Sequence, residues 1–503
     1  MTDRSRWIAL YVLCTGMLMI VLDATVVNVA LPTIQNDLHF SQSSLAWVIN
    51  AYLIAFGGLL LLAGRLGDLV GRRRVFMAGL TVFTCASLTC GLAQSQEMLV
   101  AARFVQGIGG AMTSAVILGM IVTMFPKPGE QAKAIGVYGF VASAGGSVGL
   151  LAGGVLTQAL DWHWIFFVNV PIGILTGFIA LRLLENDEGI GFGAGADVPG
   201  AVLITGALML SVYTIVKPAA QRGWGAAETL ELGALSLALL VAFVVRQGRA
   251  RNPLMPLRMF RSRNVSGANS VQALMVAGMF GLFFLGALYM QRVLGYDALQ
   301  IGLAFLPATL IMGVLSLRFS ERLIMRFGAR TLLFPGIVLI CAGLLLFARA
   351  PVNGDYLVDV LPVMLLLALG IGGSFPALMT LAMSGATPQD AGLASGLVNT
   401  SAQVGGALGL AVLATLSATR TERLLAGGSS TDAALTGGYH LAFLIGAGLM
   451  VLAFAVVLLV IRPASPVAMP APAEDSPATP DNPGTSLAAG EQAGRAALSE
   501  AAS

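Results

Sequence analysis

Apolar residues run along this chain in stretches of about 20, each ended by a short segment holding charges, Gly or Pro. Runs of that length match the thickness of a hydrocarbon core, so each predicts a spanning helix. They fall near 7–31, 44–64, 75–94, 98–124, 132–158, 163–184, 198–217, 228–246, 264–291, 298–318, 330–349, 357–384, 391–418 and 438–461. The pattern predicts an all-α polytopic membrane protein with fourteen transmembrane spans and both termini on one side. The first run lacks a small-residue cleavage site and is expected to be retained as a span. From Pro463 the chain turns to Pro, Ala, Ser, Asp and Glu without periodicity, which predicts a disordered tail.

Composition agrees with a lipid-facing surface. Of 503 residues, 57% are hydrophobic and 11% charged, against roughly 25% charged in a soluble domain. The net charge of +3 is small and points to no nucleic-acid partner. Cys14, Cys85, Cys90 and Cys341 lie inside apolar runs without metal-ligand spacing and are expected to be packing thiols, with no metal site. With the N-terminus inside, cytoplasmic loops collect about twenty Lys/Arg and outer loops about six, which sets the expected orientation. The densest basic segments begin at Gly64, Arg246 and Arg318.

A repeat is visible in the loops. After span 2, Arg65, Asp68, Gly71 and Arg73 stand at the spacing of Arg322, Met325, Gly328 and Arg330 after span 10. Spans 1–6 and 9–14 are therefore expected to form two related six-helix bundles, 1–186 and 251–462. Segment 187–250 supplies two inserted helices, and 463–503 the cytoplasmic tail. Duplicated bundles facing one another build midplane sites with alternating access.

Asp23 is the one ionisable side chain between Trp7 and Leu31. A buried carboxylate there costs roughly 2.5–3.5 kcal/mol even on lenient insertion scales. It lies about 12 Å from the outer end of span 1, and Arg103 lies about 8 Å from the outer end of span 4. The depths overlap, so the two can pair. The pair is either a structural strut or a proton-coupling site: loss of water favours the neutral acid, a guanidinium favours the carboxylate, and a conformational change alters both.

Other features add candidates. Gly64, Arg65, Asp68, Gly71, Arg72 and Arg73 form a tight basic turn whose Asp68 can latch onto the N-terminus of a helix from the other half. In span 5, Gly145, Gly149 and Gly153 recur every four residues beside Gly154, and span 13 repeats the theme with Gly392, Gly396, Gly405 and Gly409. Such stripes serve static close packing or a sliding contact between halves. Asn28, Asn50, Tyr52, Gln106, Asn169, Gln272, Asn399 and Gln403 are polar positions that either line a cavity or join helices.

The stretches LDATVVNVALPTI, GRLGDLVGRRR, RFVQGIGGAM, the glycine-rich span 5 and DWHWIFFVNVPIG together resemble the major facilitator superfamily, in its fourteen-spanner drug:proton antiporter branch (EmrB/QacA type). The resemblance covers about residues 7–461. It implies the major facilitator fold and proton-driven efflux of lipophilic compounds, monovalent cationic or neutral, across the cytoplasmic membrane. By the same resemblance Asp23 and Arg103 are the coupling residues, Gly64, Asp68, Gly71 and Arg72 the gating-loop motif, and Gly149 to Gly154 the antiporter motif. Where that motif often has Gly-Pro, this chain has Gly149–Leu150, and Met325 stands in place of the second loop's acid.

An enzyme would need clustered nucleophile, base or metal ligands, whereas His39, His163 and His440 lie far apart at predicted span ends. A phosphate loop of the GxxxxGK[ST] type is absent, so the expected energy source is the proton gradient, without ATP or another cofactor. The expected partners are small lipophilic substrates, protons and the lipid bilayer. The competing expectation is a dedicated exporter of one endogenous product, an antibiotic or siderophore.

Overall fold

Backbone groups in hydrocarbon have no water to bond, so spanning segments satisfy them within a helix. In the computed structural model the described residues are entirely helices and connections. They comprise 3–462 apart from 126, 186, 188, 190, 192–195, 256 and 384–390. The tail expected from Pro463 onward lies outside them. The helices are α1 (Asp3–Asp37), α2 (Gln42–Leu45), α3 (Trp47–Val70), α4 (Arg72–Gly91), α5 (Gln96–Met124), α6 (Pro128–Ala159), α7 (Trp164–Phe167), α8 (Asn169–Leu183), α9 (Val198–Thr214), α10 (Ala220–Arg222), α11 (Ala227–Arg249), α12 (Arg263–Arg292), α13 (Ala298–Val314), α14 (Ser320–Phe327), α15 (Ala329–Phe347), α16 (Leu361–Met383), α17 (Ala391–Ala426) and α18 (Thr431–Leu459).

Local chemistry sets several helix starts. Side chains of Ser95, Asp197, Ser262 and Ser430 accept from backbone N–H groups of the first turn, and Asp297 forms a capping box with Gln300. Wide π turns at Ile215–Ala219 and Leu315–Phe319 end α9 and α13, and one at Tyr356–Val360 leads into α16.

Twelve helices among the described residues are long and apolar enough to cross a membrane. The two other expected spans, 132–158 and 298–318, coincide with α6 and α13. Their described apolar stretches are shorter, Val148–Ala159 and Ala298–Val314. In the second case the π turn at Leu315 cuts the regular helix before it reaches full length.

Two sets of helices repeat one pattern of neighbours. In the first set α1 packs on α6 and α8, α5 on α3 and α4, and α4 on α8. In the second, α12 packs on α17 and α18, α16 on α13 and α15, and α15 on α18. The sets meet through α6 against α13 and α3 against α17. The repeated loops share a backbone device as well. Gly71 ends α3 with φ +108°, and Gly328 ends α14 with φ +83°. Inserted α9 lies on α3 and touches α17, with α11 packed on α9 and largely exposed.

Candidate functional site

The deepest charge cluster lies inside the first helical set. Asp23 projects from the middle of α1 and Arg103 from α5, with side-chain exposures of 0% and 2%. Arg103 Nη1 donates to Asp23 Oδ2 at 2.5 Å and to Gln106 Oε1 at 2.6 Å, while Nε donates to the Val48 carbonyl at 2.9 Å. Gln106, one turn further along α5, donates through Nε2 to Asp23 Oδ1 and to Ser87 Oγ, both at 2.7 Å. Asn169 Nδ2 of α8 reaches the same carboxylate oxygen at 3.4 Å, and Cys90 Sγ donates to Gln106 Oε1 at 3.6 Å. The guanidinium lies 4.5 Å from the Tyr52 ring centre and 5.7 Å from that of Phe166.

This arrangement satisfies a buried charge from all sides. Three donors surround the carboxylate and two aromatic faces flank the guanidinium, which offsets the desolvation of both ions. Nearby, both amide atoms of Asn50, the Tyr52 hydroxyl and Asn169 Oδ1 are buried with no hydrogen-bond partner among the described residues. Such groups mark a network with pairing capacity left over for a second arrangement. Loss of the Asp23 acceptor would leave the guanidinium with the Gln106 and Val48 oxygens alone.

The structure thus joins Asp23, Arg103, Gln106, Tyr52 and Asn169, as overlapping depth suggested for the first two. Ser87, Cys90 and the Val48 carbonyl were not anticipated. Ser87 and Cys90 stand three apart on α4, a spacing that puts both on one face. Other polar candidates lie elsewhere. Asn28 turns back to the Ala24 carbonyl of its own helix, and Gln272 is buried on α12 with its Oε1 unpaired among the described residues. Thr400 of α17 bonds the Gly57 carbonyl, and a Cβ at Gly57 would stand 2.6 Å from the Gln403 side chain, so this face of α17 lies against α3. Asn399 is exposed on the same helix.

At the turn after α3, Asp68 pairs with Arg72 at 3.1 Å, one helical turn along its own half. Arg72 also donates through Nη1 to the Gly119 carbonyl at 3.0 Å, and Arg73 to the Leu181 carbonyl at 2.6 Å. Gly64 faces Ala115 of α5, and Arg65 is half-buried beside it. The residue that the sequence reading missed is Asp187, from the acidic loop after α8. Its two oxygens accept from the backbone N–H groups of Arg72 and Arg73, at 2.6 and 3.0 Å. It therefore caps α4, where the helix dipole favours an anion. An acid 115 positions downstream of Arg72 gave no local signal of this.

The glycine stripe divides in two. Gly145, Gly149 and Gly153 face Leu18, Val21, Thr25 and Val26 of α1, within the same set. Gly154 instead faces the backbone of Ala298 and Leu299 at the start of α13, and Gly302 faces the Leu150 carbonyl. Close approach of α6 to α13 thus rests on Gly154 and Gly302, that of α3 to α17 on Gly57 against Gln403 and Gly396 against Leu61, and the rest of the span 5 stripe packs α6 onto α1. Gly405 and Gly409 repeat that second role against Ala273 and Ala277 of α12.

Repeated helix pairings, lipid-length apolar helices and a fully buried ion pair define a multi-pass membrane transporter. Residues 13–410 match the model of the Major Facilitator Superfamily. The chain belongs to that superfamily. It is 40% identical over 465 residues to the puromycin resistance protein pur8 of Streptomyces alboniger, covering 91% of this chain and 92% of that one. It is 40% identical over 450 residues to the cephamycin export protein CmcT of Amycolatopsis lactamdurans, covering 89% and 91%. In fold it is similar to a bacterial homolog of the human lysosomal transporter Spinster, solved inward-facing and unoccupied. The TM-score is 0.66 at 16% identity, over 93% of this chain and 100% of that one.

Proposed function

We propose that this protein is a proton-coupled exporter of lipophilic compounds, monovalent cationic or neutral, working by alternating access across the cytoplasmic membrane. The observation that carries the reading is the Asp23–Arg103 pair, sealed from water inside a chain similar to named resistance and export proteins. In the resting arrangement Asp23 is held by Arg103, Gln106 and Asn169. A proton arriving from outside neutralises it, weakens the hold of Arg103, and favours the conformation in which substrate has left. Exposure to the cytoplasm then returns the proton, and the next substrate enters. No cofactor takes part, and the proton gradient supplies the energy.

The proposal includes fourteen spans, with α6 and α13 crossing beside the other twelve, and both termini in the cytoplasm. It assigns 1–186 and 251–462 to two six-helix halves, and α9–α11 to a hairpin inserted between them. A second reading, export of a single endogenous product, is favoured by the names of pur8 and CmcT, each of which specifies one antibiotic. A further relative is named a multidrug resistance protein, which favours the broader reading. The test is substrate-evoked proton release in inverted vesicles, over a panel of lipophilic cations and neutral antibiotics. Wild type releases protons and Asp23→Asn does not, while remaining inserted. Equal proton release by the variant overturns the coupling role, and a response to one compound alone selects the dedicated exporter.

A further inference from the structure

The two repeated turns handle their arginines differently. After α3, Arg72 and Arg73 are occupied by Asp68, Gly119, Asp187 and Leu181. At the second turn the residue matching Asp68 is Met325, which is 77% exposed. Arg318, Arg322 and Arg326 are exposed there, and no carboxylate among the described residues pairs with them. The segment 318–327 holds three arginines against one acid, Glu321. Phe319 and Phe327 are exposed among these charges, so the surface mixes large apolar side chains with guanidinium groups. That mixture suits the boundary between acyl chains and headgroups.

Directly along the chain from these arginines is a groove of about 320 Å³ lined by Leu310, Ile311, Val314, Leu315 and Phe319. Its walls are wholly apolar, and its Phe319 end adjoins Arg318. The π turn at Leu315–Phe319 joins the groove to α14. An apolar channel ending in unneutralised guanidinium groups is complementary to a molecule with a hydrocarbon chain and an anionic head. Guanidinium forks bind phosphate oxygens in pairs, and basic segments at a membrane surface attract anionic lipid.

We propose that the groove and the arginines beside it bind one anionic phospholipid. Its acyl chain lies along Leu310–Phe319, and its phosphate is held by Arg318, Arg322 and Arg326. The bilayer supplies the ligand. Its assignment to the cytoplasmic leaflet rests on the topology proposed above, but the site itself does not. In this arrangement the first half's turn is neutralised by protein and the second half's turn by lipid.

The experiment is native mass spectrometry of the purified full-length protein, titrated with phosphatidylglycerol or phosphatidylcholine of matched chains. Wild type retains phosphatidylglycerol preferentially. At roughly fivefold per interfacial arginine, the variant R318Q/R322Q/R326Q loses on the order of a hundredfold in that preference. A control of equal charge change, R249Q/R251Q/R261Q, keeps it. Val314→Trp fills the groove and lowers retention of both lipids. Met325→Asp restores the acid of the first turn and lowers the preference even where the triple variant fails to fold. The proposal is overturned if wild type shows no headgroup preference, if the control loses as much as the triple variant, or if Val314→Trp and Met325→Asp change nothing.

Discussion

Consider the double substitution Asp23→Asn with Arg103→Gln. Asp23→Asn alone sets an amide N–H or a neutral oxygen against Arg103 Nη1, 2.5 Å from the original acceptor. The guanidinium then has at most neutral oxygens, those of Gln106, Val48 and the new amide, and its charge is buried without a counter-ion. Arg103→Gln alone leaves a buried carboxylate with two amide donors, Gln106 and Asn169. Breaking one partner out of a buried pair costs about 3–5 kcal/mol. The double variant removes both charges and leaves amides able to bond one another and Gln106, so it costs no more than either single change. The cycle therefore gives a coupling energy of about 3–5 kcal/mol. SDS unfolding in mixed micelles at neutral pH measures stability, and the vesicle assay measures coupling. Costs that simply add in the double variant would refute the buried-pair energetics. A double variant that regains stability and also regains substrate-evoked proton release would show that the pair is a strut and not the coupling site.

The remaining predictions concern the turns. Gly71→Ala and Gly328→Ala each force an L residue to positive φ, which costs about 1–2 kcal/mol. Only at Gly71 does the new Cβ also meet backbone, 2.6 Å from the Asp187 carbonyl oxygen, while at Gly328 the space is open. Thermal unfolding should therefore rank Gly71→Ala as the more damaging, and the reverse order would contradict the geometry. Asp187→Ala removes the cap of α4 at about 1 kcal/mol. Amide exchange at Arg72 and Arg73 should accelerate while exchange in α5 stays unchanged, and unaltered rates at both amides would count against the cap.

Much of this protein was legible in one dimension. Lipid demands a length and a polarity that are properties of consecutive residues, so hydropathy alone located the twelve helices long enough to cross. A fixed rise of 1.5 Å per residue turns chain position into depth, and depth brought Asp23 and Arg103 to the same level before any contact was known. The repeated Arg–Gly spacing likewise foretold two turns with one backbone device, now seen at Gly71 and Gly328.

Rotation about each helix axis was a different matter. A helix surrounded by apolar neighbours and lipid carries no amphipathic stripe to say which face turns where, so the choice falls to packing and side-chain hydrogen bonds. Only the tertiary structure could show that Gly145, Gly149 and Gly153 face α1 while Gly154 faces α13. Only it could bring Gln106 and Asn169 to one carboxylate, with Ser87 behind Gln106, from three helices. Asp187 is the clearest instance: its oxygens find two backbone donors more than a hundred residues back along the chain. Sequence set the depth of each group, and packing set its direction.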